Sequence, residues 1–183
     1  MTPERLEFEQ VAEGLLKGAM QALEDPTLVE KLRVAGLDLT RKLAPAYPAA
    51  EFFRWVLICA RHRHPQLNEE EACREVGRLA VSRGMKSTLI GSAVLKMMQL
   101  IGVRRSLKRI GISFKNGNNY IEARVVELAP TSLEIQLGPL VGPASYYEGI
   151  LEEGPRLMGA RSVELTRVRT EGEHLVWRLD WTE

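Results

Sequence analysis

The chain has 183 residues, of which 45% are hydrophobic and 27% charged, with a net charge of +1. That balance suits a globular domain with a sizeable core and excludes a low-complexity chain. Residues 1–102 hold 14 basic and 13 acidic side chains and residues 103–183 hold 11 of each, which excludes a strong pull of the whole molecule on nucleic acid or anionic lipid.

Along the chain, the first part has a helical period. Leu15, Ala19 and Leu23 are spaced by four. Pro26 and Thr27 open a short helix that Gly36 stops, and GLDLTRKLAPAYP is a connector in which Pro45 and Pro48 forbid a long helix. PAAEFFRWVLICARHRH then places Phe52, Trp55, Val56, Cys59 and His62 on one stripe. After Pro65, Asn68 is a good N-cap and Glu69 to Glu71 suit the positive first turn. The helix that follows turns Ala72, Val76, Leu79 and Ala80 inward and ends at Gly84. Ser87 or Thr88 caps the next helix, with Ile90, Val94, Met97, Met98 and Ile101 as its core stripe and Ser92, Lys96 and Gln99 opposite. Lys96 and the short apolar length exclude a membrane span there.

After residue 115 the period becomes two. NGNN is a turn. Ile121, Ala123 and Val125 alternate with Tyr120, Glu122 and Arg124, and Leu133, Ile135 and Leu137 share one face of a second strand. LVGPASYYEGILEEGPRLMGA is helical, with Pro155 expected to kink or shorten it. A second hairpin follows, its last strand alternating Leu175, Trp177, Leu179 and Trp181 against Val176, Arg178 and Asp180. The expected architecture is α+β: one domain over 1–183, with a helical half (1–112) and a β-β-α-β-β half with an antiparallel sheet (113–183).

Motifs of catalysis are absent from this pattern. His62 and His64 are two residues apart, so on a helix they point about 200° apart and cannot grip one metal ion together. Cys59 and Cys73 fall on apolar stripes and read as small buried hydrophobes rather than ligands or a redox pair. GMKST lacks the Gly-Lys step and the preceding strand of a phosphate loop. No cofactor, metal or catalytic residue is expected. Two cysteines give no disulfide framework, and MTPERLEFEQ lacks the layout of a signal peptide, so the expected compartment is the cytoplasm. The run RRSLKR puts Arg104, Arg105, Lys108 and Arg109 after a helix end, where they complement its carbonyls and could equally meet phosphate, acidic lipid or an acidic partner.

The segments FEQVAEGLLKGAM, AGLDL, EEACREVGRLAVSRG, IGVRRSLKR and YYEGILEEGPRLMGA resemble a myxobacterial paralogous family of unknown function, nearly end to end. More distantly, the order of elements is similar to the haem nitric-oxide/oxygen-binding fold and to the related ligand-binding folds of transport-particle subunits and vinyl-4-reductase domains. In the haem proteins a histidine on the helix after this region binds iron, and a Tyr-x-Ser-x-Arg motif grips the haem carboxylates. Here residues 88–111 contain no histidine, and GISFKNGNNY lacks the Tyr-Ser-Arg spacing. The resemblance therefore implies an apolar cavity between the halves and pairing into a homodimer through helices, without haem.

The resulting expectation is a non-enzymatic, haem-free regulatory or sensor-like domain that binds a small apolar or acyl ligand. Phe53, Trp55, Met97, Met98 and Tyr147 are the expected cavity lining, and Arg104, Arg105, Lys108 and Arg109 the expected anion contacts. A protein-interaction or scaffolding module without ligand is the first alternative. Weak binding of an anion or nucleic acid through the basic cluster is the second, with nucleic acid disfavoured by the overall charge.

Overall fold

Apart from two three-residue strands, the regular structure as far as Gly117 is helical, and the remainder follows the β-β-α-β-β order expected from the change of period. The computed structural model describes residues 3–87 and 89–183, and of Ile90 the backbone alone.

Strand β1 (Leu6–Phe8) pairs antiparallel with β2 (Ala46–Pro48), Glu7 opposite Tyr47. Helix α1 (Glu9–Ala12) runs into a π-helical stretch, Glu13–Ala19. Leu15 and Ala19 are buried as their spacing predicts, but Leu23 is half exposed. The wider turn shifts the phase, and the helix has ended before Leu23. Gln21 adopts φ +47° and Ala22–Glu24 form a separate 3-10 turn. Met20 takes the buried place instead.

Helix α2 (Pro26–Val34) starts at the Pro-Thr pair, capped by Asp25, whose carboxylate accepts the Leu28 N–H at 3.0 Å. Gly36, at φ +93°, supplies the left-handed exit that other residues resist. Helix α3 (Ala49–Arg63) buries the predicted stripe from Phe52 to Cys59, with Phe53 beside it, and leaves His62 half-buried. Asn68 caps α4 (Glu69–Leu79) by accepting the Glu71 N–H at 2.9 Å. The helix continues in π form to Gly84, the stop read from the sequence.

The stretch from Leu89 to Gly117 forms three helices: α5 (Leu89–Ile101), α6 (Val103–Leu107) and α7 (Ile110–Gly117). Gly102, at φ +82°, separates the first two. The basic run therefore does not finish α5, as its position suggested. It falls on α6 and the residues just after it. Ser87 donates to the Gly84 carbonyl and so closes the preceding turn. The alternative cap, Thr88, lies outside the described residues, as does the Ile90 side chain.

Strands β3 (Glu122–Ala129), β4 (Ser132–Gly138), β5 (Ser162–Glu171) and β6 (His174–Thr182) form one antiparallel sheet in the order β3-β4-β6-β5. Leu133 lies opposite Leu179 and Ile135 opposite Trp177, and all four are fully buried. Each such side chain contributes about 1.5–3 kcal/mol on leaving water. Helix α8 (Ala144–Leu157) packs against the sheet and α4. Pro155, expected to kink or shorten this helix, lies inside it two residues before its end, and the chain leaves the helix through Gly159 at φ +110°. α4 and α8 meet backbone to backbone. A side chain at Gly77 would collide with the Tyr146 carbonyl, and one at Gly149 with that of Arg74.

Candidate functional site

The helical part and the sheet part are joined at β1. Its neighbour on one side is β2, and on the other Asn118 bridges to Glu7. Asn119 fastens the same place, accepting the Leu6 N–H at 2.8 Å and donating to the Glu4 carbonyl at 2.9 Å. Asn118 turns the chain by accepting the Ile121 N–H at 2.9 Å. Glu7, the middle residue of β1, is only 3% exposed.

The Glu7 carboxyl accepts a hydrogen bond from the Tyr120 hydroxyl. Burial pushes its pKa up to about 7, against the smaller lowering effect of that bond. Tyr146 and Tyr147 lie near enough for the Glu7 charge to act on them, and burial holds both phenols far above the ordinary range. The Tyr147 hydroxyl is buried and has no hydrogen-bond partner. Tyr120 and the Gly142 backbone are its nearest hydrogen-bonding groups, within reach of a weak interaction but outside the geometry of a well-formed bond. Aromatic rings surround it: Tyr146 at 5.5 Å between centroids, Phe53 at 5.8 Å and Phe114 at 6.3 Å. Gly142, in the loop before α8, lies against the Phe53 ring so closely that any side chain there would overlap it.

The structure brings together two of the five residues expected to line a cavity, Phe53 and Tyr147. Trp55 is buried elsewhere on α3, edge-on to Tyr47 and donating its indole N–H to the Ala35 carbonyl at 3.0 Å. On α5, Leu95 is buried and Val94, Met98 and Ile101 beside it are partly buried, while Met97 turns outward and is 48% exposed. Two hollows lie away from these rings. One of about 370 Å³ opens between α2 and α3 beside Val34 and Ile58, and one of about 140 Å³ lies on the sheet among Arg124, Glu134 and Arg169.

The basic cluster divides in two. Arg104 and Lys108 both pair with Glu127 of β3, and the two cations hold that carboxyl below its usual range. Arg105 and Arg109 are exposed and, among the described residues, have no carboxylate partner. His62 is fixed by Asp25 at 2.8 Å and Lys31 at 3.1 Å. His64 ends α3 and His174 begins β6.

Two groups escaped the sequence reading. Glu7 stands between Leu6 and Phe8, an alternation that suggests an outward side chain; it is buried instead against Tyr120, far along the chain. The other is an ion-pair network across α4 and α8. Glu148 accepts from Arg74, from Arg167 and from the Trp177 indole at 3.1 Å, while Glu152 accepts from Arg74 at 2.7 Å and Arg78 at 2.6 Å. The spacing of Arg74 and Arg78 by four, matched by Glu148 and Glu152, was a legible signal for it. Every carboxylate here is paired, so the network clamps two helices and leaves no vacant charge.

The fold has close structural counterparts. A Cs H-NOX mutant carrying the unnatural residue 4-cyano-L-phenylalanine superimposes with a TM-score of 0.71 at 15% identity, covering 96% of this chain and 97% of that one. An oxygen-binding H-NOX domain related to soluble guanylate cyclases gives 0.63 at 15% identity, with 94% of each chain covered. A mutant H-NOX of T. tengcongensis gives 0.60 at 17% identity, covering 94% and 96%. At these identities the likeness establishes the fold. Among curated proteins nothing matches. The family described as "Protein of unknown function (DUF2378)" matches over residues 5–182, and the chain belongs to that family.

Proposed function

We propose that this chain is a haem-free regulatory domain that binds a small, mainly apolar ligand at the junction of its halves, with the Tyr147 hydroxyl as the polar contact. The observation that carries this reading is that hydroxyl, buried among the rings of Phe53, Phe114 and Tyr146 without a well-formed hydrogen bond among the described residues. Leaving a buried donor unsatisfied costs roughly 1–3 kcal/mol. Such a cost is expected where the group has a partner in function. A ligand with an apolar body and one carbonyl acceptor, such as an acyl chain, meets both requirements. The loop bearing Gly142 covers Phe53 and is the natural point of entry.

The H-NOX likeness raises haem as the obvious ligand. The residues present do not suit it. α5 carries no histidine, and His62 is engaged by Asp25 and Lys31. The junction is closed by side-chain rings in mutual contact, so it has no slot for a flat macrocycle, and a slimmer ligand enters only where the Phe53 ring and the loop bearing Gly142 move aside. These points support a haem-free domain that uses the same fold.

Native mass spectrometry after incubation with hemin, and separately with decanoic acid, tests both halves of the reading. Retention of decanoic acid without a sharp Soret band is expected. Stoichiometric haem uptake overturns the haem-free half, and failure to retain any decanoic acid overturns the ligand half.

A further inference from the structure

From Val76 to Ile121 the chain has nine lysines and arginines and not one aspartate or glutamate. Three of the nine are neutralised from outside the stretch or by Glu75: Arg78 by Glu75 and Glu152, Arg104 and Lys108 by Glu127. The other six, Arg83, Lys86, Lys96, Arg105, Arg109 and Lys115, are exposed and have no carboxylate partner among the described residues. A balanced chain has thus gathered its uncompensated positive charge around α5.

α5 itself is apolar around most of its circumference. At 100° per residue, Val94, Leu95, Met98 and Ile101 lie on the side that faces the body. Leu89, Ala93, Met97 and Leu100 lie on the opposite side, where Leu89 is 92% exposed and Leu100 88%. A helix apolar on both sides is ordinarily buried on both sides. This one is not, and it is too short to span a bilayer. Its outer row needs a cover that is apolar, and the surroundings require that cover to be negatively charged.

We propose that the outward row of α5, with the unpaired cations around it, docks onto the surface of an anionic lipid bilayer. An interfacial helix has this composition: leucine and methionine on one face, with basic residues beside them. Lys96 lies within the outward row and can reach up to headgroup phosphate along its own aliphatic stem. The same lysine argues against a second copy of this chain as the cover. A two-fold pairing through this face would bring Lys96 toward its own counterpart, among further unpaired cations, with no acidic residue of the stretch to offset them. Nucleic acid would satisfy the charge and leave Leu89 and Leu100 in water.

Sedimentation with vesicles of phosphatidylglycerol and phosphatidylcholine in equal parts, against phosphatidylcholine alone, tests the proposal on the full chain. Binding to the anionic vesicles only, weakened by high salt, is expected. Arg105→Ala with Arg109→Ala should weaken it about thirtyfold, at roughly fivefold for each cation near the surface. Leu89→Glu with Leu100→Glu should abolish it while leaving the melting temperature unchanged, because neither leucine is packed. No binding to anionic vesicles overturns the proposal. So does binding that Leu89→Glu with Leu100→Glu does not affect, which would point to a purely electrostatic partner such as nucleic acid or an acidic protein. A solution dimer that those substitutions dissociate would make a second copy the occupant and overturn it as well.

Discussion

Replacing Glu7 by glutamine isolates the consequence of burying that carboxyl. The folded chain holds the Glu7 proton with a pKa of about 7, whereas the unfolded chain releases it near the ordinary value of 4.5. Below about pH 4.5 both states are protonated and the shift has no effect on stability. As pH rises from there, the unfolded state gains by ionising while the folded state does not, so stability falls until the folded carboxyl ionises near pH 7. With about 1.36 kcal/mol per pKa unit, the loss between about pH 5 and pH 8 comes to about 2.5 kcal/mol. Glutamine keeps the shape and still accepts from Tyr120, but has no proton to lose. Tyr120, Tyr146 and Tyr147 have pKa values held well above this window, so they do not titrate in it. Urea unfolding of both proteins at several pH values, followed by fluorescence of the buried Trp55, Trp177 and Trp181, gives the difference directly. Groups common to both proteins cancel. Glu7→Gln should gain on the wild type by about 2.5 kcal/mol across the window. A constant difference would refute the assignment of a buried, neutral carboxyl.

Gly77→Ala should cost about 3 kcal/mol or more, or prevent folding, because its methyl group meets the Tyr146 carbonyl with backbone on both sides; thermal denaturation measures it. Glu148→Ala should cost about 2–3 kcal/mol in urea, since it strands the Trp177 indole and removes the shared anion of Arg74 and Arg167, both of which can still reach water. Burial pushes the thiols of Cys59 and Cys73 up to about 12 and about 11. A thiol reagent at mildly alkaline pH should therefore modify neither in the native protein and both after unfolding.

What could be read from the sequence was what local chemistry decides. Asn68 caps and Gly84 stops because each acts within its own turn, and Leu133, Ile135 and Leu137 alternate because one sheet face is buried. The failures have physical causes of the same clarity. Leu23 escaped because a π-helical stretch changed the phase and ended the helix. Met97 turned outward because α5 is apolar nearly all round, so periodicity could not say which side faces the body. At the site, Tyr147 was visible as a large side chain at helical apolar spacing and Phe53 as one beside an apolar stripe. Glu7 was not, because it is buried against Tyr120, more than a hundred residues away.

Titration of wild-type protein and Tyr147→Phe with decanoic acid, by calorimetry, bears most directly on the function proposed for this domain. The substitution removes one oxygen and leaves the ring contacts in place. It should weaken binding about tenfold, the loss of one hydrogen bond, and at the same time raise stability by about 1 kcal/mol by deleting an unsatisfied buried donor. Equal affinity in the two proteins, or no binding to the wild type, would contradict the assignment of Tyr147 as the polar contact of a ligand site.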